Sequence, residues 1–138
     1  MDTVRALIRR LLAVLLLVGG IVVLVDASAA ACPASTASWA QQVQDADAVF
    51  TGTISDRLRQ GPGIHYTVQV DRSYKGDVGE EVVVMTPHST RACGLPDLAE
   101  GSAYVFLATE DGGDLTISSQ GGTTRATNAH VAAVERLL

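Results

Sequence analysis

Between residues 63 and 74 the stretch GIHYTVQVDRSY alternates without a break: Ile64, Tyr66, Val68 and Val70 fall on one side, His65, Thr67, Gln69 and Asp71 on the other. A period of two marks a strand with one buried face. The preceding stretch VFTGTISDRL, residues 49–58, alternates more loosely and is joined to it through RQGPG, where Gly61, Pro62 and Gly63 dictate a turn. EVVVMT, residues 81–86, is a run rich in β-branched side chains that predicts a third strand, more fully buried than its neighbours and ended by Pro87. AYVFLATE (103–110) and DLTISS (114–119), separated by Asp111, Gly112 and Gly113, predict a strand pair around a glycine turn.

Two stretches change to a helical period. Trp39, Val43 and Ala46 predict a short helix over 38–46, with Ser35, Thr36 and Ser38 as candidate N-caps. Val131, Val134 and Leu138 predict a closing amphipathic helix over 128–138, capped by Thr127 or Asn128. The segment HSTRACGLPDLAEG between strands is polar and irregular. Five short antiparallel strands in about a hundred residues suit a small closed barrel, because an open sheet of that size leaves its edges unprotected. The expected fold is therefore mainly β with short flanking helices.

Residues 1–31 follow neither pattern. Arg5, Arg9 and Arg10 precede the apolar run Leu11 to Val25, which is shorter than the about twenty residues a spanning helix needs. Small residues follow it, so the segment reads as a cleaved export signal, with residues 32–138 as one secreted, extracellular domain. Cuts after Ala29, Ala30 or Ala31 all satisfy the small-x-small requirement. The sequence ahead of Cys32 also raises its lipidation, although Ala29 stands where such boxes carry a larger aliphatic residue. Without a lipid on Cys32 the mature chain is expected to have no membrane attachment.

Charge and cysteine count narrow the picture. The chain carries 10 Lys+Arg against 15 Asp+Glu, a net charge of −5, and three of its arginines belong to the signal. An acidic surface repels nucleic acid and anionic lipid, which are excluded as partners. The only two cysteines, Cys32 and Cys93, both lie in the exported part, where the simplest outcome is one disulfide.

No catalytic pattern emerges. G-x-S-x-G, H-E-x-x-H, C-x-x-C and a glycine-rich phosphate loop are all missing from the sequence. His65, His88 and His130 read as solvated strand, loop and helix-surface residues. Two cysteines do not make a closed zinc site, and EDGGD (110–114) is too short for a calcium loop. A non-enzymatic protein without a cofactor is expected.

The order of motifs resembles the netrin-like domain of tissue inhibitors of metalloproteinases and its shorter secreted relatives. The matching features are a cysteine at the mature start, a helix ending in DADAVFTGTI, then YTVQVDRSYKG, the Cys93-Gly94 pair, GSAYVFLA and LTISSQGGT. The resemblance covers Cys32 to about Thr123. It implies a five-stranded OB-fold Greek-key barrel, with Cys32 bridged to the Cys-Gly loop. A second family bridge would join positions 34 and 120, which here are Ala34 and Gln120, so both of its cysteines are absent together.

The resemblance also implies a mechanism and a partner, a zinc metalloprotease. A catalytic zinc with three protein ligands keeps one open position. The α-amine of an N-terminal Cys32, with a reference pKa of about 7.7 to 8.0, and its carbonyl oxygen would chelate that zinc in trans. Pro33 would enter the specificity pocket, and Ala34, Ser89, Thr90, Arg91, Ala92 and Gly94 would complete the contact ridge. This demands cleavage after Ala31, because one extra alanine takes the α-amine away from Cys32. The alternative reading is an exported OB-fold interaction module in which Cys32 and Cys93 form a purely structural staple.

Overall fold

A computed structural model describes residues 32–138; the expected export signal and its three cut registers lie outside the described residues. In chain order these form helix α1 (Trp39–Asp45), strands β1 (Ala48–Gln60), β2 (Gly63–Lys75) and β3 (Glu81–Pro87), a 3-10 turn (Thr90–Ala92), strands β4 (Ala103–Asp111), β5 (Asp114–Thr116) and β6 (Thr124–Arg125), and helix α2 (Asn128–Leu137). The fold is mainly β, as the alternation predicts. The described residues hold six strands where five were expected, because β6 is only two residues laid beside Tyr104 and Val105, too short to carry a period.

Strand β1 closes the sheet. Its first half pairs with β4, from Ala48↔Ala108 to Thr53↔Ala103, and its whole length pairs with β2, from Val49↔Lys75 to Gln60↔Gly63. With β2 against β3, β3 parallel to β5 and β5 against β4, five strands run in a ring β1-β2-β3-β5-β4-β1. One strand serves two neighbours because it bends: register shifts fall at Val49/Phe50, Thr51/Gly52 and Ile54/Asp56, and such irregularities kink and twist a strand. A Cβ on Gly52 would sit 2.5 Å from Val68 Cγ1 and 2.6 Å from the Gln69 carbonyl oxygen. The bent strand thus reaches β2 only because position 52 has no side chain.

Inside the ring lie Phe50, Ile54, Ile64, Tyr66, Val68, Val84, Tyr104, Phe106 and Ile117, all buried. Phe50 and Phe106 stack with centroids 5.1 Å apart. A second cluster covers the outer face of β1 and β4, where Val49, Val105 and Leu107 meet Val43 and Ala46 from the α1 side and Val134 of α2. The loose alternation of β1 and the unbroken YVFL of β4 have one cause, which is burial on both faces.

Strand β3 corrects an expectation. The sequence predicts a strand more fully buried than its neighbours, yet only Val84 and Thr86 are buried and Val83 is 46 % exposed. Both helices pack over β1 and β4, and among the described residues no helix covers the outer side of β3. Strand β5 also stops at Thr116 rather than Ser119, since Gly121 N–H donates to the Ser118 carbonyl at 3.0 Å and turns the chain there.

The helix starts resolve the open cap alternatives. Ser38 Oγ accepts from Gln41 N–H at 3.2 Å, and Thr127 Oγ1 accepts from His130 N–H at 3.2 Å, so each orphan first-turn donor has a partner. Helix α1 covers 39–45 and α2 128–137, within a residue of the predicted spans. Among the described residues no helix is long and apolar enough to cross a membrane.

Candidate functional site

Cys32 and Cys93 are joined in a disulfide, with their Cα atoms 5.1 Å apart. A sulfur so bonded cannot also carry a thioether-linked lipid. The bridge ties the irregular segment Cys32–Ser38 to the loop between β3 and β4.

That loop is built backbone-first. Ser89 Oγ accepts from Arg91 N–H at 3.2 Å, and the Ser89 carbonyl accepts from Ala92 N–H at 3.0 Å and Gly94 N–H at 2.9 Å. The winding ends at Cys93, whose φ of 62° is left-handed, a conformation that costs a residue with a Cβ about 1–2 kcal/mol. Glycine takes the left-handed position at most such ends. Here the glycine is needed one residue later: Gly94 is buried, and a Cβ on it would lie 1.8 Å from the Pro87 carbonyl oxygen.

The base of the loop rests on the ring interior. Tyr66 Oη donates to the Leu95 carbonyl at 2.8 Å, Leu95 N–H donates to Thr86 Oγ1 at 3.0 Å, and Ala99 N–H donates to Tyr104 Oη at 3.0 Å. On the flank, His88 Nδ1–H and N–H both donate to the Pro62 carbonyl, at 2.7 and 3.1 Å, which pins the loop start to the β1–β2 turn.

Of the residues singled out by sequence, Pro33, Ala34, Thr90, Arg91 and Ala92 are exposed, and Cys32, Ser89 and Cys93 are half-buried. The bridge brings the Cys32 end and the 89–93 winding together. Gly94 shapes the ridge from beneath, and its burial leaves no surface for a partner to touch.

Sequence reading missed the group that holds the segment on its other side. Gln120 donates its side-chain amide to the Pro33 carbonyl. Gln42 of α1 donates to the Gln120 carbonyl at 2.9 Å and lies 2.9 Å from Ser35 Oγ, which it also serves as donor. Trp39 Nε1–H donates to the Gly122 carbonyl at 2.9 Å, and Ser119 Oγ lies 3.5 Å from Cys32 Sγ. Around Ala34 and Gln120, where the resemblance implies a bridge this chain lacks, the tie is noncovalent. Two glutamines 78 residues apart leave no periodic signal; only the resemblance drew attention to position 120.

One concavity adjoins the site and a second is lined by none of its residues. A groove of about 370 Å³, with Pro62, Met85 and Pro87 among its walls and His65 at its side, adjoins the start of the loop. A cavity of about 320 Å³ near Gly76 is lined by Asp47, Asp77, Glu110 and Asp114, of which Asp47 already accepts from Glu110 N–H at 2.8 Å. Among the described residues no three His, Cys, Asp or Glu side chains group closely enough to hold a metal. His65 and His130 are half-buried rather than solvated, His130 packing 5.5 Å from Trp39. No protein-family model and no curated protein matches this chain.

Proposed function

We propose that this chain is an exported, non-enzymatic inhibitor of zinc metalloproteases, built on an OB-type Greek-key barrel of the netrin-like kind. Cys32, once it is the first residue, offers its α-amine and carbonyl oxygen to the open position of a protease zinc. The observation that carries this reading is the placement of Cys32: its side chain is locked to Cys93 while Pro33 and Ala34 beside it stay exposed. The five-strand ring with a parallel β3–β5 contact supports the OB reading.

Two rigid donors on adjacent atoms suit a metal that must lose its water, because the chelate's geometry is prepaid by the bridge. Pro33 extends the effect by restricting the backbone of Cys32 ahead of it. Thr90, Arg91 and Ala92 supply exposed surface next to the chelating end.

The test compares the protein beginning at Cys32 with one carrying a single extra alanine, against secreted zinc endopeptidases of the His-Glu-x-x-His type. Inhibition by the first and its loss in the second, at equal thermal stability, is expected. Equal potency of the two sinks the chelate.

The apolar groove beside Pro62, Met85 and Pro87 favours a second reading, a binding module stapled by Cys32–Cys93 whose partner is not a protease. Its mark would be partner binding that survives the added alanine.

A further inference from the structure

The Cys32 main chain has two holders, one covalent and one built from glutamines. The disulfide fixes its side chain to Cys93. On the carbonyl side, the next peptide is governed by Pro33, whose ring locks φ near −65° and which lacks an N–H. The one main-chain polar group that Pro33 presents is its carbonyl, and Gln120 takes it. With φ locked, holding that carbonyl fixes the remaining torsion of Pro33, and so the direction in which Cys32 enters the segment.

Gln120 is itself held. Its carbonyl accepts from Gln42, whose amide group also serves Ser35 Oγ, and Gln42 lies one helical turn after Trp39, which binds the Gly122 carbonyl. The turn admits this approach because position 122 is glycine: at φ +84°, a Cβ there would lie 2.3 Å from Gln42 Oε1 and 3.1 Å from Trp39 Cδ1. Helix α1, the 119–122 turn and the segment after Cys32 thus form a chain of contacts that ends on the Pro33 carbonyl.

We propose that Gln120, oriented by Gln42, is the positioning residue that with the disulfide fixes the main chain of Cys32. Its bearing on inhibition rests on the chelate reading above; the clamp itself does not. The amide donor is the working group, so Gln120→Glu, equal in size but without the donor and with a carboxylate facing a carbonyl, does more harm than Gln120→Ala. A side chain that merely fills space would show the reverse order.

The experiment uses the exported protein beginning at Cys32 and reads two quantities: the rate at which dithiothreitol reduces the disulfide, and the inhibition constant on the same endopeptidases. Loss of one net hydrogen bond changes an equilibrium about fivefold. Reduction is expected to quicken about fivefold in Gln120→Ala, more in Gln120→Glu, and about tenfold or more in Gln42→Ala, which loses two bonds. In the double variant Gln42→Ala/Gln120→Ala the effects should fall short of multiplying, because the two residues act in series. Inhibition should weaken in the same order, with melting temperatures falling by no more than the few degrees that the lost hydrogen bonds themselves imply.

Quickened reduction in a protein that inhibits none of the enzymes upholds the clamp and removes the protease reading. Unchanged reduction in both Gln120 variants overturns the clamp whatever the inhibition shows.

Discussion

The Pro87 carbonyl oxygen occupies the space that a side chain on Gly94 would need: an ideal Cβ there lies 1.8 Å from it and 2.9 Å from the Ser89 carbonyl oxygen. Both obstacles are backbone, so neither can rotate away. Gly94→Ala must push the 89–94 winding off the end of β3, taking Cys93 with it. We expect a loss of about 3 kcal/mol, in the upper range for single substitutions, and a fall in melting temperature of more than about 10 °C. Thermal unfolding followed by circular dichroism measures it, and an unchanged midpoint would mean that the loop has room the contact distances deny.

The loop base gives a milder case. Tyr66 is fully buried and its hydroxyl donates to the Leu95 carbonyl at 2.8 Å. Tyr66→Phe keeps the ring in the core and orphans that carbonyl, at a cost of about 1–2 kcal/mol. Denaturant unfolding should show a lower midpoint with the same slope. A change in slope would point instead to a looser native state.

How much of this was legible in the sequence depends on how many faces each element buries. Strand β2 buries one, and its alternation from Ile64 to Val70 marks the strand directly. Strands β1 and β4 bury two over part of their length, so Val49 and Val105 blur the period although the elements are still found. In β3 the same apolar run deceived: three valines in a row read as two-sided burial, but only tertiary placement of the helices decides which outer face is covered. Strand β6 was illegible, since two residues have no period. At the site, the cysteines told of the bridge because a thiol pair has few fates, while Gln42 and Gln120 are ordinary polar residues until the fold sets them face to face.

The bridge spans a sequence separation of 61 residues, and that interval contains β1, β2 and β3. Removing it in Cys32→Ala/Cys93→Ala frees the unfolded chain and should cost about 4 kcal/mol in the chain-entropy account. The strand ring does not itself depend on the segment before α1. Ring-interior amides that exchange by global unfolding should lose protection by that same amount, and residues 33–38 and the 89–94 winding should lose more, through local opening. Uniform loss of protection would show that the bridge supports the ring as a whole, not one ridge upon it.

Arg91 separates contact from folding. It is exposed at the crest of the winding, and among the described residues only its backbone N–H is engaged, with Ser89 Oγ. Arg91→Glu should leave stability within about 0.5 kcal/mol, as surface substitutions do. If the 89–92 crest faces a partner, reversing its charge alters the encounter: rim charges act mainly on association rate and its salt dependence. For an inhibited endopeptidase we expect the association rate to change about tenfold at low ionic strength, in a direction set by the charge around the protease cleft, and the difference to shrink above about 0.5 M salt as screening shortens the reach of charge. Surface plasmon resonance across a salt series reads both. Identical rates for the two proteins at low salt would remove Arg91 from the contact ridge and confine the interface to the Cys32 end.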